Sequence, residues 1–177
     1  MEVWDLYSRD RIPLGRTAVR GETLTDGYHM TVHIVIFTED GERMLIQRRS
    51  PDKDTFAHLW DISAAGSALA GETSAMAAHR ELYEELGLDI DFTNVRPHLT
   101  LNYGNGFGDY YLVKRSVDLD SLRLQPEEVC DARLADRETV LSMIRDGSFI
   151  DYHESFIELL FDIKDRYSSF AHPPKER

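Results

Sequence analysis

The sequence predicts an α/β domain organised on a mixed β-sheet, and three features carry that prediction. Tyr28 to Phe37, YHMTVHIVIF, is dense in β-branched and aromatic residues, as a buried strand is. Ala75, Ala78, Leu82 and Leu86 recur at helical spacing between Thr73 or Ser74, either of which can cap a helix, and a terminating Gly87. Strand-like and helix-like stretches then succeed one another towards the end of the chain. With 177 residues and 42% hydrophobic content, the chain is long enough for one cored domain and too short for two, so residues 1–177 are expected as a single domain.

Taken in order, residues 2–7, EVWDLY, alternate weakly and open the chain with a strand. The polar stretch that follows reads as turns with a short strand, which makes 1–27 an N-terminal strand region. Met44 to Arg48 is the partner of the 28–37 strand, joined to it through Thr38-Glu39-Asp40-Gly41, whose Asp-Gly pair signals a tight hairpin. Ser50 to His58 is a loop by composition, and Leu59 to Ala65 reads as one buried strand running into Gly66. Beyond the helix, Val95 to Tyr103 and Asp109 to Val117 read as strands around Gly104, Gly106 and Gly108. That glycine-rich stretch is a hairpin turn rather than a phosphate cradle, since it opens no helix. Val129 to Ala135 is a last short strand. Arg137 to Asp146 and Tyr152 to Tyr167 are helices, so the region 137–167 is helical. Phe156, Leu159, Leu160, Ile163 and Tyr167 recur at helical spacing on the second and are expected as core or homodimer contacts. The tail from Ser168 is expected to fray.

The formal charge of −12 speaks against nucleic acid or an anionic membrane as partners, because both require a basic surface. An enzyme this acidic that acts on phosphates needs divalent cations to offset the repulsion. Cys130 is the sole cysteine, which excludes an intrachain disulfide and a multi-thiolate zinc site. The start MEVWDLYSRDR lacks the order of a signal peptide, and no apolar run approaches the roughly 18 residues of a membrane span. A cytoplasmic location is expected.

The chemistry concentrates in Gly66 to Leu88, GSALAGETSAMAAHRELYEELGL. Glu81, Glu84 and Glu85 stand at i, i+3 and i+4, so a helix presents all three carboxylates on one face. Ala75, Ala78, Leu82 and Leu86 form a separate apolar stripe on the same helix. Such a face is either a cation site or a solvated acidic surface, and mutual repulsion of about 0.2–0.5 kcal/mol per pair does not decide between them.

The wider pattern does. Gly66, Glu72, Arg80-Glu81-Leu82, Glu84-Glu85 and Gly87-Leu88 match the signature of the Nudix hydrolases without a gap or substitution. The chain thus resembles that family, and the resemblance implies an α/β/α sandwich that sets its metal site on this helix. It implies attack of water on a diphosphate phosphorus in a nucleoside di- or triphosphate or nucleotide-linked substrate. Magnesium is the implied cofactor, with manganese as the alternative. Also implied are Glu81, Glu84 and Glu85 as metal ligands, the Gly66 carbonyl as a further ligand, and Arg80 as the residue that holds the carboxylates in place. Glu72 is then the ion-pair partner of Arg80, and Gly87 is structural. The family's general base lies in the box, where Glu84 is the candidate, or on a variable loop, where Glu127 and above all Glu128 are placed, with a solvated turn as their alternative reading. Arg48, Arg49 and Lys53 are candidate contacts to substrate phosphates, as is Arg20. Trp60, Phe107 and Tyr103 are either base-stacking residues or core.

Outside the box, HMTVHIVIFTEDGERMLIQRRS and LWDISAAG resemble the isopentenyl diphosphate isomerase branch of the same superfamily. The likeness breaks at the residues isomerisation needs. Where those isomerases carry a catalytic Cys followed by Gly-His, this chain has Ala65, Gly66 and Ser67. His29 falls at one histidine of the isomerase metal site, but Glu22 stands at another. The residues therefore favour hydrolysis over isomerisation, and over a binding module that has lost catalysis.

Overall fold

The computed structural model describes residues 2–172. Among these residues nine strands and three α-helices, besides a short 3-10 turn at Leu119–Ser121, follow in the order β1 (Val3–Tyr7), β2 (Pro13–Val19), β3 (His29–Phe37), β4 (Arg43–Arg49), β5 (Trp60–Asp61), β6 (Ala64–Ser67), α1 (Ser74–Leu86), β7 (Leu99–Tyr103), β8 (Gly106–Lys114), β9 (Val129–Asp136), α2 (Arg137–Arg145) and α3 (Glu154–Ile163). β1 and β2 form their own antiparallel ribbon, and the other seven strands form one mixed sheet.

β3 is its central strand, and its side chains show the strand period directly. Met30, Val32, Ile34 and Ile36 point to one face, where Ala77, Ala78, Leu82 and Leu86 of α1 meet them. Val35 and Phe37 point to the other, against Val140, Leu141 and Met143 of α2 and Ile157, Leu160 and Phe161 of α3. A sheet buried on both faces explains why 28–37 is apolar nearly throughout, and the layering is the α/β/α sandwich that the box implied. Along one edge β3 pairs in parallel with β8, from His29 opposite Gly106 to Phe37 opposite Lys114.

Along its other edge the sheet forks. β3 meets β4 only at Phe37 opposite Met44, beside the hairpin closed by the Gly41 amide donating to the Thr38 carbonyl. Beyond that point residues 60–67 thread between the two strands. β5 pairs with β4, at Gln47 opposite Asp61, and β6 pairs with β3, at Ile34 opposite Ala64. The expected single strand 59–65 is therefore two, because the segment changes partner in the middle. Ser63 makes the change possible: fully buried, its hydroxyl donates to the Leu45 carbonyl of β4 at 2.6 Å and accepts from the Ile36 amide of β3 at 2.8 Å. One side chain thus replaces the ladder bonds that the fork interrupts.

Other boundaries move by a few residues. The strand expected from Val95 begins at Leu99, the one expected from Asp109 begins at Gly106, and the turn between them is Gly104-Asn105. The last helix ends at Ile163, and Leu159 and Tyr167 of its expected core face are exposed. Of the expected frayed tail, residues 173–177 lie outside the described residues. No helix among the described residues is long and apolar enough to cross a membrane.

Candidate active site

The box helix α1 is fixed at both ends. Thr73 caps it, its hydroxyl accepting from the Met76 amide at 3.3 Å. Gly87 ends it at φ 69°, a left-handed conformation that glycine adopts without cost, and its amide donates to the Tyr83 carbonyl. Ala78, Leu82 and Leu86 anchor one face under the sheet. That anchoring drives the base of the other face inward: Glu85 is 4% exposed, while Glu84 is half exposed.

Gly66, on β6, lies directly against α1. A Cβ there would collide with the carboxylate of Glu81, so glycine is what leaves that carboxylate its present position. Arg80 ties the assembly together. Its guanidinium grips Glu72 with two parallel bonds of 2.7 and 2.9 Å, donates to the Ser67 carbonyl at 3.0 Å, and reaches Glu81 at 2.9 Å and Glu84 at 3.1 Å. Glu72 also accepts from the Leu69 amide. Burial alone would raise the Glu72 carboxyl, but its bonds from Arg80 and the Leu69 amide bring it below the usual range.

These groups line one cavity of about 330 Å³. The end of β4 contributes Arg49, the loop after it Lys53, and the segment before β9 Gln125 and Glu128. Lys53 and Glu128 form an ion pair across this part of the cavity, and Arg49 is held by the Thr55 carbonyl and lies 3.7 Å from the buried Asp61. Ala65, at the position of the isomerase thiol, lines the cavity too, as does Ser67.

Several candidates fall elsewhere. Arg48 follows Gln47 on β4 and so faces the opposite way; it donates to the His58 carbonyl and does not line the cavity. Glu127 is exposed outside it. Trp60 lies in the α2/α3 core beneath the guanidinium of Arg133, and Phe107 and Tyr103 lie near β1, so none of the three aromatic candidates reaches the cavity. His29 is buried, stacked on Trp4 and bonded to the Asn105 carbonyl and the Tyr103 hydroxyl, an arrangement of core packing.

Three cavity residues come from in or beside the β1–β2 ribbon, where the box gives no signal: Arg20, which the sequence offered as a candidate, and Glu2 and Trp4, which were missed. Gln47 was also missed. Fully buried, it donates from Nε2 to Glu85 at 3.0 Å, while its Oε1 has no partner. A lone polar residue inside the apolar run MLIQR was the available signal.

The electrostatics favour a cation. Burial pushes the Glu81 carboxyl up to about 7, against the opposing pull of Arg80, with Glu84 and Glu2 adding repulsion. Burial also pushes Glu85 well above the usual carboxylate range, helped by Glu81, Asp61 and Glu128. Two buried carboxylates short of countercharge fit a divalent ion with oxygen preference. Among the described residues no three acidic or histidine side chains close around one point, because Arg80 draws Glu81 and Glu84 to itself while Glu85 turns to Gln47. Magnesium tolerates such a set, since it keeps several of its waters.

Comparison with known proteins bears on the family and the fold. The NUDIX domain family matches residues 27–156. An uncharacterized Nudix hydrolase of Listeria monocytogenes is 44% identical over 166 residues, covering 93% of this chain and 96% of its own. An isopentenyl-diphosphate Delta-isomerase of Pectobacterium atrosepticum is 33% identical over 107 residues, 57% of this chain and 58% of that protein. A crystal structure from Deinococcus radiodurans superposes with a TM-score of 0.71 at 24% identity, over 90% of this chain and 97% of that one, which bears on the fold alone. The chain belongs to the NUDIX domain family and is an enzyme of its pyrophosphohydrolase type.

Proposed function

We propose that this cavity binds a nucleoside di- or triphosphate, or a nucleotide-linked diphosphate, together with magnesium or manganese, and hydrolyses the diphosphate bond. The observation that carries the reading is the meeting, in one cavity, of two buried and destabilised carboxylates, Glu81 and Glu85, with the cations Arg49 and Lys53. Glu81, Glu84 and Glu85 hold the metal, with the Gly66 carbonyl beside them. When bound, the ion neutralises the diphosphate and lowers the pKa of a coordinated water.

The chain's own residues do the rest. Arg80 and Glu72 keep Glu81 and Glu84 aligned, since every change in the guanidinium's position would break several charge-assisted bonds at once. Arg49 and Lys53 receive the substrate phosphates. Glu128, facing the cavity beside Lys53, takes the proton from the attacking water, with Glu84 as the box alternative. The activity is carried by a single domain across residues 1–177, in a cytoplasmic protein.

Isomerisation is the competing reading, and Ala65 and Ser67 argue against it, because the cavity offers neither a thiol nor an imidazole at those positions. The test is hydrolysis, read as formation of the cleaved nucleotide product, of a panel of nucleoside diphosphates, triphosphates and nucleotide sugars. Hydrolysis that depends on magnesium and stops with chelator is the expected result. No hydrolysis of any member, with conversion of isopentenyl diphosphate, would overturn the proposal.

A further inference from the structure

The β1–β2 ribbon stands apart from the main sheet and lies outside residues 27–156, the span that matches the family. It is nevertheless docked firmly. The Ala70 amide donates to the Val3 carbonyl at 2.7 Å, and the Gly71 amide donates to the Asp5 carboxylate at 2.7 Å, both from the loop that leads into α1. Tyr7 and Tyr28 exchange backbone bonds, and Trp4 stacks on His29 with ring centres 4.5 Å apart. The effect of this docking is to bring Glu2, Trp4 and Arg20 to the cavity.

We infer that the ribbon is the specificity element of the site, and that Glu2 and Arg20 bind the hydroxyl groups of a sugar carried by the diphosphate. Arg20 donates to Glu2 at 2.7 Å, and each side chain remains about half exposed, so the pair presents an acceptor and a donor together. A hydroxyl is itself both donor and acceptor and matches the pair. A further phosphate does not, because Glu2 would repel it and Arg49 and Lys53 already supply phosphate contacts. An apolar chain is disfavoured by the lining, in which, among the described residues, Trp4 and Ala65 are the only apolar side chains larger than glycine.

This inference rests on the hydrolase reading for the presence of a diphosphate, but its test needs binding only. The probes are methylene-bridged diphosphates of the four common ribonucleosides, which cannot be hydrolysed at the bridge, and their 2′,3′-dideoxy analogues. Each is titrated calorimetrically into the full chain with magnesium. A hydrogen bond to a charged group changes affinity by roughly 10-fold or more, so at least one ribose form should bind about 10–100-fold more tightly than its dideoxy analogue. In Glu2→Ala that ratio should fall to about 1–3, chiefly by weakening the ribose form. Equal affinities in the unaltered chain, a ratio that survives Glu2→Ala, or no binding of any probe would each overturn the inference. Ribose discrimination without hydrolysis of the natural diphosphates would leave it standing and sink the hydrolase reading alone.

Discussion

Replacing Ser63 by alanine isolates the device that lets the sheet fork. The hydroxyl is fully buried and serves two backbone groups on two strands, the Ile36 amide at 2.8 Å and the Leu45 carbonyl at 2.6 Å. Alanine keeps the Cβ and removes both bonds, leaving a desolvated N–H and a desolvated C=O. Each orphaned group costs about 1–3 kcal/mol, so Ser63→Ala should lose about 2–6 kcal/mol, a large part of the roughly 5–15 kcal/mol that holds a domain folded. Equilibrium urea unfolding followed by tryptophan fluorescence measures this directly. The midpoint should fall while the slope stays constant, since the surface exposed on unfolding is nearly the same. A loss below about 0.5 kcal/mol would refute the reasoning and mean that the strands close up, or water enters, when the hydroxyl is gone.

Gly66→Ala should be destabilising and should also reduce turnover at saturating magnesium, because the new methyl group displaces the Glu81 carboxylate; unchanged kinetics would show that the strand yields instead. Glu128→Gln should cut turnover by a factor of about 100 or more with little change in unfolding midpoint, and full activity would remove Glu128 from the mechanism. His33 gives a pH signature. Burial holds its imidazole down to about 4 in the folded chain, against about 6.5 unfolded, so the unfolded state takes up a proton first as the solution is acidified. Its contribution is intact above pH 6.5 and is lost as pH falls towards 4, by about 3 kcal/mol in all. Urea midpoints of the unaltered chain and His33→Phe, compared across that window, should diverge by this amount, and parallel curves would refute it.

The box was legible because its information is local. Glu81, Glu84 and Glu85 share a face by helix geometry alone, and Thr73 and Gly87 mark its ends through their own side-chain or backbone chemistry. The strand β3 was legible for the same reason, since burial on both faces leaves a dense apolar run. What stayed hidden depends on distant partners. No property of the segment 59–67 announces that it changes strand midway, because the reason lies in the separation of Ile36 from Leu45. Arg48 and Arg49 look equivalent in sequence, and only the side to which Gln47 turns tells which of them faces the cavity. The ribbon residues Glu2 and Trp4 carry no motif at all; contacts with residues 70 and 71 bring them to the site.

The parallel pairing of β3 with β8 bears on how the molecule is made. His29 finds its partner only when Gly106 has left the ribosome, and the whole box lies in the loop that this pairing closes. At about 5–20 residues per second, α1 is synthesised several seconds before the strand under it is paired on its far edge. During that interval Val32, Ile34 and Ile36 depend on α1 and the β4 hairpin for cover. The helix that carries the acidic cluster thus also shields the nascent sheet, and substitutions that loosen Ala78 or Leu82 should lower the yield of soluble protein by more than their cost to the finished fold.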